Sequence, residues 1–263
     1  MPVKTIGTGR ALMGARGAPW TPALPTTDGG LLPDHWYRSD SGLWQDAGVT
    51  PAVLDGAVIG RWEDLTANAD HVNSLVAANK PTLQNAVGDL LNNSPIILFD
   101  GINDGMTGPF TTGGSLTQPD IMFAVIKLDA SDVGDAAFHT MITGDDILTY
   151  HSLGQNNANN WYTYAGASNV GGASDANWNI WTSLFNGVTS QLWLNGISEA
   201  GPGNAGANQI DGLAIGGRIF GADQYCLMSC TEIILYDADL SNADKNQVGN
   251  YLATRYGLAY TDI

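Results

Sequence analysis

Basic residues, cysteines and glutamates are scarce in this 263-residue chain, and each shortage narrows what it can do. Ten Lys and Arg face 26 Asp and Glu, for a formal net charge of −16. Such a body repels nucleic-acid phosphate and anionic lipid, so neither is expected as a partner. The two cysteines, Cys226 and Cys230, cannot build a disulfide framework. Placed on one strand, their Cα atoms stand roughly 13 Å apart at about 3.3 Å per residue, out of range of an S–S bond. Two small buried side chains on one strand face are expected instead. No stretch approaches the roughly 20 apolar residues of a membrane helix. The first residues also lack the apolar run of a secretory signal, so a protein made in a cytoplasm, without membrane insertion, is expected. Helical periodicity is missing except for a short turn around Asp70 to Ala78 and the C-terminus.

What the chain has is glycine and turn chemistry. It holds 33 glycines, and Asn-Gly, Asp-Gly and Gly-Gly pairs recur between apolar runs, the punctuation of many short strands. Residues 1–34 contain five prolines and six glycines with no apolar period. This segment reads as an extended arm, with Leu12, Met13, Leu24 and Trp20 as apolar anchors. Charge divides at the same place: Lys4, Arg10 and Arg16 give residues 1–27 a charge of +3, leaving −19 for the remainder.

The body, residues 35–263, reads as about ten to twelve strands. "DIMFAVIKLD" is a continuous apolar run, as expected for a strand buried on both faces. "WNIWTSLFNGVTSQLWLNG" predicts two strands meeting at Asn186-Gly187 in a type I′ turn, the second ending on another such pair, Asn195-Gly196. In that second strand Leu192 and Leu194 share one face and Gln191 and Trp193 the other. The chain closes on a strand over Glu232 to Tyr236 and a helix over Ser241 to Tyr256. Ser241 and Asp244 fit a capping box, Val248, Tyr251 and Leu252 an apolar stripe, and Gly257 a C-terminal stop. One face of this helix must pack on something, most simply the edge or end of a sandwich.

Several segments in order, "WYRSDSGLW", "VIGRWEDLTANAD", "PIILFDGINDGM", "IMFAVIKL", "WTSLFNGVTSQLWLNGI", "LAIGG" and "TEIILYDADLSNADKNQVGNYLATRYGL", resemble the laminin-G-like, concanavalin A-like lectin/glucanase family over residues 35–258. The resemblance implies an all-β jelly-roll sandwich of two antiparallel sheets, with the last long strand beside the first and the helix sealing that closure.

Hydrolytic members of such a family carry Glu-x-Asp-x-Glu on one strand, so that the carboxylates share a face. Here Glu63, Glu199 and Glu232 fall in separate segments, and Asp237-x-Asp239 sits in a turn. "GPGNAG" matches a phosphate-loop pattern literally but carries a proline and precedes no helix, so it reads as a loop. His35, His71, His139 and His151 are isolated in sequence. No enzyme is expected on these grounds and no cofactor is required, a divergent glycoside hydrolase being the outlying alternative. Calcium could be held by Asp100, Asn103 and Asp104, or by Asp129, Asp132 and Asp135, because hard oxygen ligands suit it. "QNNANNWYTY" joins amides to aromatics, the pairing a sugar needs; its candidates are Asn157, Asn160, Trp161, Tyr162 and Tyr164.

Two functions are consistent with this pattern. The resemblance and the arm suggest a bacteriophage virion component, a capsid decoration, head-fibre or tail protein. Lys4, Arg10, Leu12, Met13, Arg16 and Trp20 would then anchor to other virion proteins or to further copies in a homo-oligomer or lattice. The alternative is a carbohydrate-binding module or adhesin for a cell-surface glycan, tied to no virion.

Overall fold

The computed structural model describes residues 19–74, 76–112, 114–146, 150–218 and 224–263. Two antiparallel sheets pack face to face. The first contains β1 (His35–Arg38), β5 (Thr82–Gln84), β6 (Ile96–Asp100), β8 (Asp120–Leu128), β13 (Asn179–Phe185), β14 (Ser190–Leu194), β15 (Ile197–Gly203) and β17 (Leu227–Tyr236). The second contains β2 (Leu43–Trp44), β3 (Arg61–Trp62), β4 (Val72–Asn73), β7 (Met106–Pro109), β9 (His139–Thr143), β10 (Ser152–Gln155), β11 (Asn160–Tyr164), β12 (Ser168–Ala173) and β16 (Gly212–Ile215). Strand order is β15-β14-β13-β8-β17-β6-β5 in the first sheet and β12-β11-β10-β9-β16-β7-β4-β3-β2 in the second. The first and last strands do meet: β1 pairs with β17 with Tyr37 opposite Ile233.

Side-chain alternation explains the long apolar run of β8. Met122, Ala124, Ile126 and Leu128 face the interior between the sheets, with Trp62, Trp161, Trp181 and Leu213. Ile121, Phe123 and Val125 point the other way, into a second apolar cluster with Val248, Leu252 and Tyr256. Those three belong to α1 (Asn242–Tyr256). The helix therefore lies across the outer face of the first sheet, over β8, β13 and β17, rather than at an edge or end of the sandwich. The reason is visible in the strands: Ile180, Leu184, Trp193, Ile234 and Tyr236 also present apolar side chains there, and burying them is worth about 1.5–3 kcal/mol for a large side chain.

Ser241 caps α1 by accepting the Asp244 N–H at 3.2 Å, and Gly257 ends it at φ 66°. The Asp244 carboxylate does not reach back to complete a capping box. It accepts the N–H groups of Asp28 and Gly29 at 2.9 and 2.7 Å. Thr27 and Gln247 exchange two further bonds, and the Trp20 ring meets Tyr251 edge-on at 5.9 Å. Trp20 and residues 27–29, assigned from sequence to the arm, thus pack on the helix. Lys4, Arg10, Leu12, Met13 and Arg16 fall outside the described residues.

Turn chemistry departs from expectation at one place. Asn195 and Gly196 both have positive φ, 53° and 78°, and join β14 to β15 as a tight hairpin. Asn186 instead has φ −151° and ψ 53°, not the positive φ of a type I′ turn, and a short 3₁₀ turn over Gly187–Thr189 follows it. Gln118 Oε1 accepts the Gly187 N–H at 2.6 Å, a long-range contact that no local rule could supply. "GPG" ends the edge strand β15, where a missing proline N–H costs no ladder bond. Both cysteines are buried and free, and both face the sandwich interior.

Candidate functional site

The amide-rich candidate segment splits along β11. Odd and even residues of a strand point to opposite faces, and Trp161 turns inward, meeting Trp181 edge-on at 4.9 Å in the core. It is therefore corrected from a ligand contact to a core residue. Tyr162 and Tyr164 point outward. The amides lie at the far end of the β10–β11 hairpin, where Asn156 Oδ1 accepts the N–H groups of Ala158 and Asn160. Asn157 is exposed at the tip of that hairpin, Asn160 is half-buried at the start of β11, and neither lines the tyrosine surface.

Tyr162 and Tyr164 instead line a cleft of about 200 Å³ on the outer face of the second sheet. Its other walls are Phe138, Thr140, Tyr150, Ser152, Ser168, Arg218 and Gln224. β9, β10 and β11 supply the floor, and a register shift at Leu153/Gly154 sets its shape. Gly154 sits opposite Tyr162, and His139 O occupies the space a Cβ would need there. A larger residue at 154 would push the two strands apart.

The polar groups of the floor hold one another. Tyr162 Oη bonds Ser152 Oγ at 3.0 Å and Thr140 Oγ1 at 3.3 Å, and Thr140 donates to Gln224 Oε1 at 2.9 Å. Tyr150 and Tyr164 stack at 5.2 Å with rings inclined by 26°. Arg218 Cζ lies 5.5 Å over the Tyr150 ring, a cation–π arrangement. Arg218 Nε is buried with no hydrogen-bond partner. Burial raises both the Tyr150 and Tyr162 hydroxyls above their ordinary pKa, so both remain neutral donors at physiological pH. Arg218 is the one Lys or Arg between Lys127 and Lys245. That isolation was the signal in the sequence that could have singled it out.

The carboxylates considered for calcium are engaged with backbone. Asp100 Oδ1 accepts the N–H groups of Ile102, Asn103 and Asp104, and Asp104 Oδ2 accepts that of Asp100. Burial, with Asp100 close by, pushes Asp104 up to about 6. Such a loop is closed by Asx-type bonds. Of the second set, Asp129 closes its own turn onto Ser131, whereas Asp132 and Asp135 flank His139.

Glu199 and Glu232 are likewise committed. Glu199 accepts the Gly172 N–H at 2.7 Å. Glu232 is wholly buried beneath α1, accepting Trp36 Nε1–H at 2.6 Å, Tyr256 O–H at 2.7 Å and Tyr251 O–H at 3.0 Å. Trp36 and Tyr251 bond Oε1 and Tyr256 bonds Oε2, and Arg255 Nε lies 3.4 Å from Oε2. Burial raises its pKa against the pull of these donors. Asp237 accepts the Thr117 N–H and Asp239 pairs with Lys245 at 2.8 Å, both as turn residues.

The histidines, isolated in sequence, are not isolated in space. His35 lies 3.2 Å from Asp64 and stacks on Phe110. His151 stacks on Phe185, with Nδ1 3.3 Å from Asp120, inside ion-pair range but off the angle of a hydrogen bond. His71 Nδ1 accepts the Asp64 N–H.

No protein-family model and no curated protein matches the sequence. Solved structures do match in fold. The chain is similar to the Trypanosoma rangeli sialidase in complex with the inhibitor DANA, with a TM-score of 0.56 and 16% identity over 90% of this chain and 35% of that one. It is similar to the botulinum neurotoxin serotype G binding domain, with a TM-score of 0.57 and 9% identity over 84% of this chain and 51% of that one. The serotype D ligand-binding domain in complex with N-acetylneuraminic acid gives 0.55 and 13%, over 81% and 52%. The chain thus spans about a third of the sialidase and half of the toxin domains. The fold is that of a lectin-like β-sandwich.

Proposed function

We propose that this chain is a non-catalytic carbohydrate-binding domain, and that the cleft of Tyr150, Tyr162, Tyr164 and Arg218 takes one acidic sugar residue. The observation that carries the reading is Arg218: a guanidinium over a tyrosine face, with a buried and unpartnered Nε–H, in a cleft of hydroxyls and the half-buried rings of Tyr150 and Tyr164. A sugar ring stacks on aromatic faces while its hydroxyls take directed bonds. An arginine fork matches a carboxylate. The sialidase was also solved in complex with sialic acid and the serotype D domain with N-acetylneuraminic acid, which is consistent with this ligand class. The commitment of Glu199 to a backbone N–H beside an edge strand and of Glu232 to the cage beneath the helix favours binding over catalysis.

Calorimetry with a sialylated oligosaccharide and its desialylated counterpart tests this. Binding of the sialylated form alone is expected, with a loss of about 10-fold or more in Arg218→Ala, since a hydrogen bond to a charged group is worth about 1.5–3 kcal/mol. Unchanged affinity in Arg218→Ala, or release of reducing sugar, would overturn it.

A virion position would be compatible with the same ligand. Its support is the composition of residues 1–27, charged +3 against an acidic body, together with the family resemblance. Purification of the native protein inside a particle, lost on deletion of residues 1–18, is the measurement that decides it.

A further inference from the structure

The three histidine–carboxylate pairs differ in one respect. His35 and His151 each meet one aspartate and stack on a phenylalanine. His139 meets an aspartate at each ring nitrogen: Asp132 Oδ2 lies 3.1 Å from Nδ1 and Asp135 Oδ2 lies 2.9 Å from Nε2. On the Asp132 side there is also a thiol. One donor atom from each of Asp132, His139 and Cys226 falls within 4.8 Å of the other two. The three arrive from separate parts of the fold: the loop after β8, the first residue of β9, and the residue before β17. Cys226 belongs to the approach to the first sheet and His139 to the second, so the cluster joins the two sheets at one rim of the sandwich.

We propose that Asp132, His139 and Cys226 bind one divalent transition metal of the Zn²⁺ class through Oδ2, Nδ1 and Sγ. Bond lengths of about 2.0–2.3 Å in a tetrahedron place such ligand atoms roughly 3–4 Å apart, a spacing this cluster reaches with small adjustments. The surroundings are those of a metal site. A ligating histidine donates its second ring N–H to a carboxylate that fixes its orientation, and Asp135 stands at Nε2 for that purpose. A ligating carboxylate is itself held, and the Leu227 N–H donates to Asp132 Oδ2 at 2.9 Å. The Tyr225 carbonyl, 3.3 Å from Nδ1, adds a further oxygen at the same spot. The donor set decides the class of ion: sulfur and imidazole nitrogen suit Zn²⁺ and its neighbours, whereas Ca²⁺ and Mg²⁺ require oxygen cages. On binding, the thiol S–H bond breaks, its proton leaves to solvent, and the sulfur lone pair forms the bond to the metal. This inference is independent of the sugar cleft and names a different ion from the calcium expected at this loop.

Co²⁺ replaces Zn²⁺ in such sites and reports on its ligands, so the metal-stripped full chain is titrated with Co²⁺. One equivalent is expected to bind with a thiolate-to-cobalt charge-transfer band and tetrahedral visible absorption, both reversed by one equivalent of Zn²⁺. The band should vanish in Cys226→Ser and persist in Cys230→Ser. Asp135→Asn should weaken Co²⁺ binding by about 10- to 100-fold, the usual cost of an outer-shell loss. Where Cys226→Ser fails to fold, His139→Gln serves instead, and the same disappearance is expected. Absence of a charge-transfer band in the wild type, or its survival in Cys226→Ser or His139→Gln, overturns the proposal and leaves His139 as an imidazole held between two aspartates.

Discussion

On the outer face of the first sheet, Ile121, Phe123, Val125, Ile180 and Ile234 lie beneath α1, and the one carboxylate among them, Glu232, is caged by Trp36, Tyr251, Tyr256 and Arg255. On the outer face of the second sheet, Thr140, Ser152, Tyr162 and Tyr164 carry hydroxyls and rings, and among the described residues no helix lies above them. Both faces derive from the same strand alternation. The difference is in what the outward residues ask for. Isoleucine and phenylalanine are stabilised only by another apolar surface, so they recruit the helix; tyrosine and serine tolerate water and can exchange it for a ligand. Within one sandwich, the apolar outer face is structural, and the aromatic-hydroxyl face is the one on which the proposed sugar site lies.

The sharpest way to break this comparison is to remove the acid from the covered face. Glu232→Ala leaves the Trp36 indole N–H and two tyrosine hydroxyls without their acceptor in a site closed to water. Breaking a buried charged network from one side costs about 3–5 kcal/mol, and urea denaturation should show a loss of this size. Sugar binding at the second sheet should be unchanged in whatever fraction remains folded. A loss below about 1 kcal/mol, the level of an exposed ion pair, would mean that α1 is held by its apolar stripe alone.

A finer test lies within β11. Trp161 and Tyr164 are three residues apart and belong to opposite faces. Trp161→Ala empties a core site against Trp181 and should cost about 3–5 kcal/mol of stability. Tyr164→Ala removes only a stacked neighbour of Tyr150, worth about 0.5–1.5 kcal/mol, yet it should abolish most sugar affinity. Thermal denaturation and calorimetry on the two variants separate the roles. Equal destabilisation would show that the cleft is part of the core and no recognition surface.

How far the sequence foretold this contrast depends on the range of the contacts. The two-sided burial of β8 was readable because it is written in one uninterrupted apolar run. So was the end of α1, where Gly257 and Ser241 act within a few residues of themselves. The seat of the helix was not, because it depends on outward residues gathered from β8, β13, β14 and β17. Asp244 misled for the same reason: its local partner in a capping box is displaced by Asp28 and Gly29, more than 200 residues away in sequence. The cleft was half legible. Tyr162 and Tyr164 stood in the candidate segment, but Trp161 could be assigned inward only once the register of β11 was known. Thr140 arrives from β9, and Arg218 and Gln224 from the connection between β16 and β17, far along the chain from β11. His139 with Asp132 and Cys226 is the extreme case, since nothing in the spacing of 132, 139 and 226 brings them together.

The smallest expected effect concerns a second pair of acids and sharpens the contrast with Glu232. On the second sheet, burial and the facing Asp211 carboxylate push Asp145 up to about 7. Glu232 meets donors, whereas Asp145 meets another acid. A carboxyl group whose pKa is higher folded than unfolded binds its proton more tightly in the native state, so stability falls as pH rises between the two values. From an unfolded value of 3.8 to the folded value of about 7, the wild type should therefore lose stability steadily, with no further change from this group above that window. Asp145→Asn removes the ionisation while keeping a group that can donate to Asp211. The variant should melt higher than the wild type at pH 8, and the gap should close as pH falls toward 4. A gap independent of pH would show that the two carboxylates do not face each other across a shared proton, and that the acids of the second sheet are as individually satisfied as the one beneath the helix.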